Sequence, residues 1–239
     1  MNVLKHISNH SAADWSTLYS ESGQWVGTSV LANLPGSAGR GLRAIVNGGQ
    51  AYADSSALPQ PSTWAISLYA RLSWSEWSAG ELWALAELYS PVCPTVQVII
   101  EKYSTWEPPR FILKAYATHT GESRTETYID DMPIEPDRWY HLMVVGHSYT
   151  DTRAELYIDR VYRGAAHAVG NTDNCRPVRF RAGLYSPHWP WSPATPSSRL
   201  EAHIDEITVA TGLSPAERVT AGPLTQPGER SVIRRAVCV

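Results

Sequence analysis

Cysteine, lysine and phenylalanine are scarce in these 239 residues: there are three Cys, two Phe, and lysine only at Lys5, Lys102 and Lys114 among 20 basic residues. Cys93, Cys175 and Cys238 show neither metal-ligand nor C-x-x-C spacing, which excludes a zinc knuckle and a dithiol redox motif. Cys93 and Cys175 lie in Pro-flanked loops where a bridge is conceivable, but an odd count without an export signal favours free thiols. Positive charge is not in excess. With 20 basic against 23 acidic residues the net charge is −3, so nothing drives sequence-independent binding to nucleic acid. No run of about 20 apolar residues exists to span a bilayer, and no membrane insertion is expected. Residues 1–10 lack the apolar stretch of a secretory signal.

Trp and Tyr, by contrast, number 10 and 12. Both pair an apolar ring with a polar group and collect at surfaces that are half apolar and half wet, such as those that meet sugars or other subunits. The dominant pattern is period two. In Thr63–Trp74, the residues Trp64, Ile66, Leu68, Ala70, Leu72 and Trp74 share one parity, and Ser67, Tyr69, Arg71 and Ser73 the other. Similar runs recur to Thr211, broken by Gly, Pro, Asn and Ser. Asn47-Gly48-Gly49 supplies the positive φ values of a tight hairpin between two short strands. One short helix is expected at Ser214-Pro215-Ala216-Glu217, where Ser caps and Glu completes a capping box. About a dozen strands and one short helix make an all-β, two-sheet antiparallel sandwich. The chain divides into an N-terminal arm (1–20), one sandwich domain (21–220) and a Pro/Gly-rich C-terminal tail (221–239) suited to adding a strand to its own sheet or a neighbour's.

Three motifs occur in order: Arg138-Trp-Tyr-His-Leu-Met-Val-Val145, Ala154-Glu-Leu-Tyr-Ile-Asp159 and Ala202-His-Ile-Asp-Glu-Ile-Thr-Val-Ala210. Together they resemble the laminin-G-like, concanavalin-A-like jelly-roll superfamily of lectins and glucanases, over roughly residues 20–220. Arg160 stands where that superfamily usually turns its hairpin with Gly. The resemblance implies a jelly roll, and a structural Ca²⁺ held through Asp205 with help from backbone carbonyls. In the last core run the parity shifts after Ile204 to Ile207 and Val209, which implies a bulge at Asp205-Glu206 or an inward carboxylate.

Enzymes of this architecture that cleave laminarin resemble one another in a Glu-x-Asp-x-x-Glu strand, which is absent here. Without two carboxylates on one face, about 5 Å or about 6.5–9.5 Å apart, glycoside hydrolysis lacks its machinery, so the expectation is a protein that is not an enzyme. The weaker constellation is the non-core parity of three runs: Trp83, Leu85, Glu87 and Tyr89; Gln97, Ile99, Glu101 and Tyr103; Lys114 and Tyr116. If those strands are neighbours, Glu87, Glu101 and Lys114 share a face with several rings.

Recognition is favoured over catalysis. The Pro-rich stretch Tyr185–Ser198 presents Trp189 and Trp191, and Trp74 and Trp77 stand at a strand end. With Tyr89, Tyr103 and Tyr116 these are the candidate ligand-binding rings. The expected role is a structural or adhesive jelly-roll part of a larger assembly, such as a phage virion decoration or tail protein, at a virion or extracellular surface. Its partners are other protein subunits, glycans or both. A free lectin-like carbohydrate-binding module and a glycan-active hydrolase or lyase are the alternatives.

Overall fold

A computed structural model of the chain describes residues 2–7, 15–20, 26–30, 40–47, 49–90, 94–119, 122–148, 151–170, 176–185 and 198–211. The short helix at 214–217, the tail 221–239, Trp189, Trp191 and all three cysteines lie outside the described residues.

Fifteen strands form the described chain: β1 (Asn2–Ile7), β2 (Trp15–Ser20), β3 (Val26–Val30), β4 (Arg40–Asn47), β5 (Ala51–Ser55), β6 (Thr63–Glu76), β7 (Glu81–Tyr89), β8 (Pro94–Lys102), β9 (Arg110–His119), β10 (Glu122–Pro133), β11 (Trp139–Ser148), β12 (Asp151–Ile158), β13 (Val161–Val169), β14 (Arg179–Tyr185) and β15 (Arg199–Thr211). They build two antiparallel sheets packed as a jelly-roll sandwich. The first has the order β13-β12-β11-β6-β15-β4-β3, with β1 pairing β15 beyond the end of β4; the second runs β10-β9-β8-β7-β14-β5-β2. Both stretches of the N-terminal 20 residues that are described are thus strands, one in each sheet.

The alternation read from the sequence holds in β6, whose Trp64, Ile66, Leu68, Ala70 and Leu72 enter the core. Both phenylalanines, Phe111 and Phe180, are fully buried there, as are Trp64, Trp83 and Tyr140. Each such ring or aliphatic chain contributes about 1.5–3 kcal/mol by leaving water. In β15 the register shifts between Asp205 and Thr208, with Glu206 at φ 49°, so Ile207 and Val209 rejoin the core after the bulge.

Two local expectations change, and the turn at Arg160 takes a defined form. Asn47-Gly48-Gly49 does not close a hairpin: β4 pairs β15 and β3 in one sheet, while β5 pairs β14 and β2 in the other. The chain crosses the sandwich there because Leu42, Ala44 and Val46 of β4, and Ala51 and Ala53 of β5, face one core from opposite layers. In β7 the register shifts between Ala84 and Ala86. The extra residue, Leu85, changes the phase, so Trp83, Leu85 and Leu88 all pack in the core while Glu87 and Tyr89 face outward. The β12–β13 hairpin turns on Asp159 and Arg160 at φ 51° and 70°, with Ile158 opposite Val161. Two positive φ values make a type I′ turn, the geometry that matches strand twist even where Arg replaces Gly.

Candidate functional site

The second sheet carries a polar row on its outer face. Its register sets Asp54 of β5 opposite Arg181 of β14, Arg181 opposite Glu87 of β7, Glu87 opposite Gln97 of β8, and Gln97 opposite Lys114 of β9. The flanking residues Ala53, Phe180, Ala182, Leu88, Val96, Val98, Leu113 and Ala115 all belong to the core, so alternation turns the five polar side chains to the opposite face. At about 4.8 Å per strand the row spans roughly 19 Å. It is shielded from solvent: Glu87 and Gln97 are 0% exposed, Lys114 1% and Tyr116 2%.

Arg181 anchors one end. Its Nε and Nη2 donate to the two Asp54 oxygens at 2.7 and 3.1 Å, and three rings surround the guanidinium, Tyr52 at 4.1 Å, Tyr89 at 4.7 Å and Tyr185 at 5.3 Å. Burial works most strongly against its charge, but the Asp54 hydrogen bonds together with the attraction of Tyr185, Asp54 and Glu87 hold Arg181 more firmly protonated. Burial, with Glu87 next, pushes the Tyr185 phenol well above its usual value.

At the other end, the Lys114 Nζ lies 5.9 Å from the centre of the Tyr116 ring. Burial brings the ammonium down to about 8. Tyr116 moves the opposite way, well above the usual phenol value, from burial and then from Glu87. Its hydroxyl donates to Gln97 Oε1. One strand therefore carries, two residues apart, an amine that loses its proton easily and a phenol that keeps its own. That is the division of labour between a general base and a general acid.

The remaining expected residues distribute unevenly. Tyr89 is half-buried over Arg181, and Tyr103 is exposed at the end of β8. Trp77, at 6% exposure, belongs to the core and lies edge-on against Trp74 at 5.3 Å. Trp74 is itself half-buried against that core. Trp77 completes the sandwich end, whereas Trp74 also lines an open surface cavity with Ser73, Ser75, Arg199 and Glu201. Glu101 forms an ion pair with Arg110 at 3.0 Å, four residues along β8 from Gln97. That offset places it about 13 Å from the row, beyond the reach of a hydrolytic carboxylate pair with Glu87. Asp205 is buried and takes the Glu206 amide on Oδ1 at 2.8 Å. Among the described residues no group of three or more His, Cys, Asp or Glu is arranged to hold a metal ion. Sequence reasoning missed Asp54, Arg181, Tyr52 and Tyr185, which reach the row only through the pairing of β14 between β7 and β5.

Fold and site together define a jelly-roll sandwich with a buried polar row on one sheet. No protein-family model matches the chain, and no curated protein sequence does. Solved structures do. An endo-β-1,4-glucuronan lyase from the fungus Trichoderma reesei is similar at TM-score 0.66 and 15% identity, over 88% of this chain and 96% of that one. An alginate lyase from Aplysia kurodai is similar at 0.55 and 14%, over 89% and 100%. The receptor-binding domain of botulinum neurotoxin type G is similar at 0.57 and 10%, over 92% of this chain but 50% of that one. At these identities the likeness is one of fold.

These neighbours overturn the expectation that the chain is not an enzyme. That expectation rested on a missing carboxylate pair, which is the requirement for hydrolysis. Polysaccharide lyases share this fold, and elimination needs a base and an acid instead of two carboxylates.

Proposed function

We propose that the protein is a polysaccharide lyase that cleaves a uronate-containing glycan by β-elimination on the outer face of the second sheet. The observation that carries this reading is the Lys114–Tyr116 pair, an amine lowered to about 8 beside a phenol raised well above its usual value. The glucuronan and alginate named for two structures of the same fold supply the substrate class.

In the proposed step the neutral Lys114 amine removes the proton next to the uronate carboxylate. The C–H electrons form a C4=C5 double bond, the C4–O glycosidic bond breaks, and Tyr116 gives its proton to the departing oxygen. Lys114 ends as ammonium and Tyr116 as phenolate. Proton return from one to the other resets both. The raised Tyr116 value makes that return favourable. The Gln97 amide, fixed by the Tyr116 hydroxyl on its oxygen, offers N–H donors to the charge developing on the carboxylate. Asp54 and Arg181 hold the Glu87 end of the row in register. Because Lys114 is 1% exposed, polymer entry requires the covering side chains to part.

The test is incubation with glucuronan and with alginate, read by the ultraviolet absorbance of the new double bond. Product formed by the wild type and abolished in a folded Lys114→Met variant supports the reading. Absence of product from every polyuronate overturns it.

A further inference from the structure

We infer that the β8–β9 loop, through Tyr103 and Trp106, is a distal stacking subsite for an extended glycan chain. This rests on the glycan reading above, though not on the elimination chemistry. Trp106 is 92% exposed and Tyr103 63%. An exposed ring alone is unremarkable on a protein surface, but here the surroundings hold it out. Glu107 N–H donates to Ser104 Oγ at 3.1 Å, closing a small turn around Trp106. Pro108 and Pro109 follow, and Ile134 N–H donates to the Pro109 carbonyl at 2.7 Å. On the other side, Gly80 N–H donates to the Lys102 carbonyl at 2.7 Å. The Arg110 guanidinium lies 5.4 Å from the Tyr103 ring centre and pairs with Glu101 at 3.0 Å. The loop is thus braced at both ends and loses little freedom on presenting its rings.

Position supplies the second argument. Gln97, Ile99 and Glu101 alternate along β8, and Tyr103 follows directly after its last residue; the Arg110 guanidinium that pairs with Glu101 also lies over Tyr103, so the tyrosine continues the outward line that starts at the acid–base row. Six residues at about 3.3 Å put it roughly 20 Å from Gln97, several sugar units away. Around the rings stand Ser104, Thr105 and Glu107, which are hydrogen-bonding groups. A sugar has an apolar face and a polar rim, and this mixture fits it. A protein partner would call for a contiguous apolar patch. A chain that reacts at Lys114 and stacks at Trp106 is gripped far from its cleavage point, which favours long chains.

The experiment is equilibrium binding to immobilised polymer and to di- and trisaccharides. It uses the full chain in a Lys114→Met background, with and without Trp106→Ala, on glucuronan, alginate and neutral β-glucan. The expected result is a roughly tenfold or greater loss of polymer affinity on removing Trp106, unchanged short-oligosaccharide affinity and an unchanged thermal midpoint. Equal polymer binding by both variants overturns the subsite. So does absence of binding to all three polymers, or Trp106-dependent self-association in light scattering. Trp106-dependent polymer binding by a wild type that forms no double bond keeps the subsite and sinks the lyase reading.

Discussion

Lys114 and Tyr116 share one face of β9, with the lysine nitrogen 5.9 Å from the phenol ring centre, and their acidities move in opposite directions. The reason is common to both: burial disfavours the charged form, which is the ammonium for lysine and the phenolate for tyrosine. Lys114 needs to be neutral to act as base, so the rate of elimination is expected to rise with pH and level off above about 8. A kcat/KM profile flat from pH 6 to 9 would remove Lys114 from the role. The same lowering makes the folded state gain stability as pH rises from about 8 towards 10.5, because the unfolded chain holds the extra proton over that range.

Tyr116→Phe deletes the proton donor and keeps the ring. Loss of general acid catalysis is expected to lower kcat by about 10²–10⁴ while polymer binding survives. Stability falls by about 1 kcal/mol from the lost hydrogen bond to Gln97. Full activity in this variant would assign the acid elsewhere.

Asp54→Ala leaves the Arg181 guanidinium without its bidentate partner inside a cage of three tyrosines. Removing one partner of such a pair is expected to cost about 3–5 kcal/mol, read from the urea midpoint. Replacing both residues by apolar ones of similar volume is expected to cost less than Asp54→Ala alone. The comparison separates the cost of a stranded charge from the value of the pair.

Arg160 occupies φ 70° in the β12–β13 turn, a left-handed conformation that suits glycine. Arg160→Gly is expected to stabilise the fold by roughly 1 kcal/mol in thermal unfolding, with no effect on the opposite sheet. A lower midpoint would mean that Arg160 makes compensating interactions.

His141 donates or accepts at Ser67 Oγ at 2.9 Å, packs 5.4 Å from the Tyr69 ring, and is lowered to about 3, first by burial and then by Arg160. Between about 3 and 6.5 the unfolded chain binds the proton that the folded chain refuses, so stability falls as pH drops through that window. The slope from this one group is at most about 1.4 kcal/mol per pH unit. In His141→Gln that part of the acid sensitivity is expected to vanish, as denaturant titrations at pH 4 and pH 7 will show.

The period-two alternation determined the sandwich by itself, because a strand with one apolar face has to bury it against another sheet. The same alternation put Glu87, Gln97, Lys114 and Tyr116 on non-core positions of three successive strands. Tertiary structure decided the rest. Only the pairing of β14 between β7 and β5 brings Arg181 and Asp54 beside Glu87, over sequence separations that no local pattern spans. Only the bulge at Leu85 reveals that Trp83 belongs to the core. Trp77 and Trp106 look alike in sequence, each near a strand end among polar residues. One is packed on the core and the other stands in solvent, because burial depends on what the rest of the chain brings over a position.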